Sequence, residues 1–448
     1  MGMKTLRFRG VLCCIMAFAL LFTGLVCGGG LSTLAAVESV NGSDSLVRTS
    51  LTEIKNVLTS ISYTDYLAMY ESSGRPDETV DIDIFGNING DETNITYQVV
   101  DGAEYGKDGK VLLIGDDGKI SFNINIKTAG FYNILVEYYT GNISVYDADG
   151  NLTTVGKNAS IERMVMIDGK VPFKEARSIS FSRAWADSYP ELDGDYKVVK
   201  TDGNKTYYDS TSTKFFESVA NGDRIFQRDN NGNEMKPEKT IVGIWYTKRL
   251  FDSSGYSNEP LMFHFENGEH VISLNTVREP FAVKSIKLVP IAETVSYEEY
   301  LAEHKNAKDY SGDDIIIQAE YPSLASDRTL YQLNDRTSVI SQPQDSALIR
   351  LNSIGGDKWT YVGQWIEYTF EAPEDGFYYV VPRSIQNVTS GKYVSRKIYI
   401  NGEVPFTEAN YTRFDFSDTW KTDALNDGTT EFKFFLNKGI NTIRLEVA

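Results

Sequence analysis

The chain is poor in cysteine, in histidine and in positive charge, and each shortage removes a class of function. It holds 3 cysteines in 448 residues, and Cys13, Cys14 and Cys27 all lie near its start. Everything after Cys27 therefore builds neither disulfides nor thiol chemistry. Histidine also occurs 3 times, at His264, His270 and His304. No His-Glu-x-x-His, phosphate loop, dinucleotide fingerprint or Gly-x-Ser-x-Gly motif is present. His264 falls in a Phe263/Phe265 strand pattern and reads as structural or exposed. The net charge is −18. Nucleic acid and anionic lipid surfaces both call for a basic patch that this sequence lacks. The acidity reads as a solubility device. Among 62 Asp and Glu, choosing two as a glycosidase pair would be arbitrary, so the chain is expected not to be an enzyme.

The basic residues that do occur early are informative. Lys4, Arg7 and Arg9 precede an apolar run from Val11 to Val26, followed by Ala35 and Ala36. That order is a secretory signal. It gives a signal peptide over 1–36, a polar leader over 37–60 and a secreted or cell-surface location. The run is also just long enough to stay as a membrane tether.

What the chain has in abundance is β-strand pattern, and it has it twice. Met164-Val-Met-Ile-Asp-Gly-Lys-Val-Pro-Phe-Lys-Glu-Ala176 leads to Phe181-Ser-Arg-Ala-Trp185, and Lys397-Ile-Tyr-Ile-Asn-Gly-Glu-Val-Pro-Phe-Thr-Glu-Ala409 leads to Phe416-Ser-Asp-Thr-Trp420. The spacing is constant from Gly169/Gly402 to Pro172/Pro405 and drifts by two residues at the tryptophans. A slip of two leaves strand side chains on their original face. Ser62-Tyr-Thr-Asp-Tyr-Leu-Ala68 and Ser296-Tyr-Glu-Glu-Tyr-Leu-Ala302 match as well, each with capping-box spacing for a short helix. Gly363-Gln-Trp-Ile-Glu-Tyr-Thr-Phe370 alternates as a strand does, and Asn-Gly and Asp-Gly pairs recur between short strands. The expected fold is all-β: two jelly-roll β-sandwiches, each led by a short helix.

One sandwich is expected over 61–291, with a long insertion at 186–260, and the second over 295–448. Half one ends in the strand pattern Phe281–Val289, which half two does not repeat after Gly439, so the second sandwich is expected to lack its last strand.

Asp147-Ala-Asp-Gly150 and Asp229-Asn-Asn-Gly-Asn-Glu234 resemble oxygen-rich calcium loops but read better as hairpin turns. Aromatics are the stronger candidates, because sugar recognition in water needs flat apolar faces with hydrogen-bonding groups nearby. Trp359, Tyr361, Tyr393 and Trp420 fall in turn-rich stretches with Arg383 and Asn387 close in sequence, and Tyr138, Trp185 and Trp245 are the choices in half one. Core packing is the competing reading for each of them.

Ile316-Ile-Gln-Ala-Glu320, Gly363-Gln-Trp-Ile-Glu-Tyr368, Pro373-Glu-Asp-Gly-Phe-Tyr378 and Gly439-Ile-Asn-Thr-Ile-Arg-Leu445 resemble a carbohydrate-binding module of the family 6/35 type, a galactose-binding-like jelly roll. The tandem with helical leaders is similar to the N-terminal region of large bacterial extracellular solute-binding proteins of sugar ABC transporters. The resemblance implies non-catalytic binding of glycans, a possible ABC permease as partner and a structural calcium held through Glu320. The late Asp of that calcium set has no match, half one has Asp83-Ile-Phe85 in place of Gln318-Ala-Glu320, and no transporter-type binding domain follows. The alternative function is a structural or protein-docking spacer on the cell envelope.

Overall fold

The computed structural model describes residues 60–193, 198–201 and 203–448. The signal and the leader up to Thr59 lie outside the described residues. From Ser60 onward the chain forms one compact unit. No helix among the described residues is long and apolar enough to cross a membrane.

The unit is an all-β sandwich structure. Half one begins with β1 (Val80–Ile82), β2 (Tyr97–Asp101), β3 (Lys110–Ile114), β4 (Lys119–Ile126), β5 (Gly130–Tyr139), β6 (Ser144–Tyr146), β7 (Leu152–Val155), β8 (Ile161–Ile167) and β9 (Ile179–Phe181). Around the insertion come β10 (Ala184–Pro190), β11 (Lys200–Thr201), β12 (Asn204–Lys205), β13 (Tyr207–Asp209), β14 (Glu238–Val242) and β15 (Trp245–Arg249). β16 (Met262–Phe265), β17 (Gly268–Arg278) and β18 (Phe281–Val289) close this half. Half two runs through β19 (Leu324–Ala325), β20 (Gln332–Leu333), β21 (Ser353–Ile354), β22 (Trp365–Ala372), β23 (Gly376–Tyr379) and β24 (Arg383–Ser384). It ends with β25 (Tyr393–Ile400), β26 (Thr412–Asp415), β27 (Lys421–Thr422), β28 (Lys433–Leu436) and β29 (Gly439–Val447).

In half one the sheet β15-β5-β18-β3-β2, with β1 on β18 and β16 on β5, accompanies the sheet β4-β17-β8-β9. Phe122, Phe173, Phe181, Phe263 and Phe281 are fully buried in this half. In half two the order β22-β29-β25-β26 repeats that of β4-β17-β8-β9, while β23-β28, β24-β27 and β20-β21 are separate two-stranded ribbons. Ile366, Ile398, Phe406, Phe432 and Phe434 form its core.

The insertion does not hang free. β10 pairs with β13, β14 and, through Trp185 opposite Ala325, with β19, which pairs in turn with β22. One sheet of eight strands thus crosses from half one into half two. Arg444 ties the junction further. Its guanidinium lies 4.0 Å from the Trp365 ring centroid and 4.9 Å from that of Tyr246, and it donates to Glu367 and to the Tyr246 hydroxyl at 2.8 Å each.

The repeated sequence stretch docks the leading helices. Ser62 caps the helix Tyr63–Met69 and Ser296 caps Tyr297–Glu303, the latter with a full capping box to Glu299. Glu175 accepts the Tyr63 amide at 2.9 Å, and Glu408 accepts the Tyr297 amide at 2.8 Å. Phe173 packs against Tyr63 and Tyr66 at 4.8 and 4.9 Å between centroids, and Phe406 against Tyr297 and Tyr300 at 4.7 and 5.1 Å. The hydroxyls of Tyr63 and Tyr66 accept the amides of Met262 and His264, and those of Tyr297 and Tyr300 accept the amides of Lys433 and Phe435. Val-Pro-Phe and Glu-Ala recur because each helix needs this receptor.

Candidate functional site

Ser178-Ile-Ser-Phe-Ser182 alternates as a strand must, so successive side chains face opposite ways. Ile179 and Phe181 are fully buried in the core, and Ser178, Ser180 and Ser182 line a cleft of about 280 Å³ on the other side. That volume lies near the low end of small-ligand pockets, roughly 300–1,000 Å³. Residues of half two, among them Val362, Gly363 and Lys397, close the cleft from across the junction.

Two lysines meet there around one ring. Lys397 Nζ lies 4.5 Å and Lys248 Nζ 5.8 Å from the Phe251 centroid. Lys397 donates to the Asn258 carbonyl at 2.6 Å and Lys248 to the Ser180 carbonyl at 3.3 Å. Burial holds both ammonium groups below the usual lysine value, partly offset by the charge of Glu446. An ammonium has three donors, so each lysine keeps hydrogen-bonding capacity beyond that one bond.

Two exposed tyrosines adjoin lining residues of the cleft in sequence. Tyr256 is 90% exposed and Tyr361 74% exposed, each next in sequence to a lining residue, Ser257 and Val362. Asp252 shapes the first loop by accepting the amides of Ser254, Tyr256 and Ser257. Gly255 has φ +79°, and a Cβ there would stand 2.6 Å from Val362 Cγ2, so the two rim loops touch only because this residue is glycine.

The residues expected to bind fall into three groups. Trp185 and Tyr138 are buried. Trp185 belongs to the ladder joining the halves, and Tyr138 packs on Phe181 while its hydroxyl donates to the Ser182 carbonyl at 3.0 Å. Both act as core. Trp359 is half-buried against the core of half two, with Arg396 4.4 Å from its ring and its indole N–H on the Gln364 carbonyl at 3.2 Å.

Trp245 and Trp420 form the second group, and the ladders correct the sequence pairing of Trp185 with Trp420. Arg163 stands opposite Ile179 in β8–β9, and Arg396 opposite Thr412 in β25–β26. Phe181 therefore corresponds to Phe414 rather than Phe416, and the second Phe-Ser-x-x-Trp is a coincidence of spacing. Trp245 opens β15 and Trp420 immediately precedes β27, the strands that hold the same place in each half. Each half-buried indole N–H bonds the loop between the second and third strands of its own half: Trp245 to the Tyr105 carbonyl at 2.9 Å, Trp420 to Asp335 at 3.1 Å. Each ring also meets a cation, Lys107 at 5.8 Å and Arg383 at 5.7 Å.

Tyr393 and Asn387 are exposed, with Arg413 4.3 Å from the Tyr393 ring. Arg383 donates to Ser338 at 2.7 Å. None of these residues lines the cleft, whereas Tyr361, also of half two, stands next in sequence to its lining residue Val362. Tyr256, Lys248, Lys397 and the serine row were missed. The serine alternation was the available signal; the convergence of three remote segments was not readable.

Glu320 is buried, and its carboxyl lies 3.6 Å from Arg224, which also binds Glu234 at 2.7 Å. Burial pushes Glu320 up to about 7, and the neighbouring Glu234 adds to the rise. Calcium takes six to eight oxygen ligands. No group of three His, Cys, Asp or Glu suited to a metal occurs among the described residues, and a guanidinium already faces Glu320. Asp147 and Asp229 spend their carboxylates on backbone amides of their own turns, Asp149 and Asn151 in one case, Asn231 and Asn233 in the other. The three histidines are packed: His264 stacks on Tyr70 at 4.0 Å, His270 meets Asp168 at 2.7 Å, and His304 lies 4.5 Å from Phe435.

No family model and no curated protein matches this chain. Among solved structures, it is similar to the catalytic domain of a GH87 α-1,3-glucanase in complex with nigerose, with TM-score 0.24 and 9% identity over 52% of this chain and 34% of that one. It is also similar to the tandem CBM51 modules of the family 98 glycoside hydrolase from Streptococcus pneumoniae, with TM-score 0.15 and 10% identity over 82% and 90% of the two chains. A third likeness is to a chain of the crystal structure of plant peptide RALF23 in complex with FER and LLG2, with TM-score 0.21 and 9% identity over 83% and 96% of the two chains. The chain spans about a third of the length of the glucanase domain, and likenesses at these scores carry no argument.

Proposed function

We propose that the chain binds a carbohydrate, without transforming it, in the cleft between its two halves. The observation that carries this reading is a cleft lined by serines, lysines and acidic residues, with two tyrosines exposed by 90% and 74% next in sequence to lining residues. Serine hydroxyls and lysine donors suit the hydroxyls of a sugar, and tyrosine faces suit its C–H patches. Binding is assigned outside the cytoplasm, as the opening segment suggests. A sugar ABC permease enters only as the partner that the sequence resemblance implies. A glycan array probed with the chain tests the proposal. At least one oligosaccharide is expected to bind, and Tyr256→Ala or Tyr361→Ala should each weaken it about tenfold, the equivalent of ~1.4 kcal/mol. Failure of every glycan, or full binding by both variants, overturns it.

A structural or docking role is the second reading. It is favoured by the burial of Trp185 in the ladder that joins the halves.

A further inference from the structure

β10 is the strand through which half one reaches half two, and β14 is laid against it from Ala184 to Ser188. Asp187 and Lys239 stand directly opposite each other in that ladder. Residues so placed share a face of the sheet, with Cβ atoms about 5 Å apart, well within the span of a lysine side chain. Here they meet. The Lys239 ammonium donates to Asp187 Oδ1, and the two side chains are 2% and 0% exposed.

The pair is poorly provided for as ions. A buried ammonium needs acceptors for three donors. Among the described residues Lys239 Nζ makes this one hydrogen bond, and the Tyr331 ring stands 5.9 Å from it. The other oxygen of the carboxyl is better served. Asp187 Oδ2 accepts from Gln332 Nε2 at 2.5 Å and from the Tyr189 hydroxyl at 3.4 Å, and both of these residues are buried. The Asp187 backbone is fixed as well: its amide donates to Ser210 Oγ at 2.8 Å, and its carbonyl accepts the Ser210 amide at 2.9 Å.

We infer that Lys239 and Asp187 condense into a side-chain amide that clasps β14 to β10. A proton passes from Nζ to Oδ1, which leaves a neutral amine beside a carboxylic acid. The amine attacks Cγ, and the negative charge that develops on Oδ2 falls to Gln332 and Tyr189, donors already aimed at it. A second proton moves from Nζ to Oδ1, the Cγ–Oδ1 bond breaks, and Oδ1 departs as water. The third proton stays on the amide nitrogen. Nothing is oxidised or reduced, and no co-reactant is consumed. Fixed, opposed reactants replace the encounter that slows such a condensation in solution, and the exclusion of water opposes the reverse hydrolysis. Two buried charges vanish, together with the surplus donors of the ammonium. Arg183 and Glu279 are as deeply buried, but a guanidinium keeps its charge and stays out of this chemistry. The bond spans 52 positions of sequence in a region without cysteine, and it holds the insertion to the strand that joins the halves.

The test is the intact mass of the full chain under denaturing conditions, set against Lys239→Arg, which keeps a cation without an amine, and Asp187→Ala. After allowance for each substitution, the parent should be lighter than both by one water. A succinimide at an Asp-Gly turn would lose the same mass, but hydroxylamine opens it and leaves the side-chain amide intact. Trypsin should spare Lys239 in the parent and release a branched peptide that joins its segment to that of Asp187. The parent decides by itself, so a variant that fails to fold does not weaken the result. Cleavage after Lys239 with no water lost, a water loss that hydroxylamine reverses, or a branch between other residues overturns the inference; the two side chains then form an ion pair only.

Discussion

Trp245 and Trp420 occupy the same place in their two halves, each pinned through its indole N–H to the adjoining strand loop. Their partners differ, a carbonyl in one half and a carboxylate in the other, so the position is shared while the chemistry is not. Glu320 offers a sharper test at this scale. Its ordinary value is 4.5 and burial raises it to about 7. Below 4.5 the carboxyl is protonated in folded and unfolded chains alike. Between the two values the folded chain alone keeps the proton, so stability falls as pH rises through that window and stays at the lower level above it. The fall should be on the order of 3 kcal/mol. In urea melts, Glu320→Gln should flatten the difference between pH 4.5 and pH 7.5. An unchanged slope would place the titrating group elsewhere.

The leading helices show what an element contributes. The helix Tyr297–Glu303 is seven residues long, too short to hold itself in water, and its place depends on Phe406 and Glu408. Phe406 is fully buried, and Phe406→Ala should cost about 3–5 kcal/mol. Glu408→Gln should cost about 1 kcal/mol by removing a charge-assisted bond to the helix. Urea midpoints check both, and equal losses would contradict the assigned roles. Much of this was legible beforehand: the all-β class, both helix starts and the recurrence of Val-Pro-Phe with Glu-Ala. The reason for the recurrence was not, because a receptor for a helix and a ligand platform use the same residue types. The tryptophan pairing failed for a related reason. Phe-Ser-x-x-Trp survives a drift of two residues without any loss of strand face, so sequence alone could not expose the wrong register.

At the scale of the whole molecule, the insertion turns two sandwiches into one sheet system, and the candidate cleft exists only because of that junction. Lys248 and the serine row come from half one, Lys397 and the Tyr361 loop from half two. Arg444 lies at the junction beside a buried Glu367. Arg444→Met should cost about 3–5 kcal/mol by leaving that carboxylate unpaired. Calorimetry should then show one unfolding transition in the parent chain and two in the variant; a single transition in both would mean that the ladder through Trp185 suffices to couple the halves. The claim that matters most is that a sugar binds between them. Crystals soaked with the tightest oligosaccharide from the array test it most directly. Density for a sugar ring against Ser180 and Lys397, with Tyr256 or Tyr361 on its face, is the expected result. A sugar seated instead on the Trp420 face, with an empty cleft, would contradict the account.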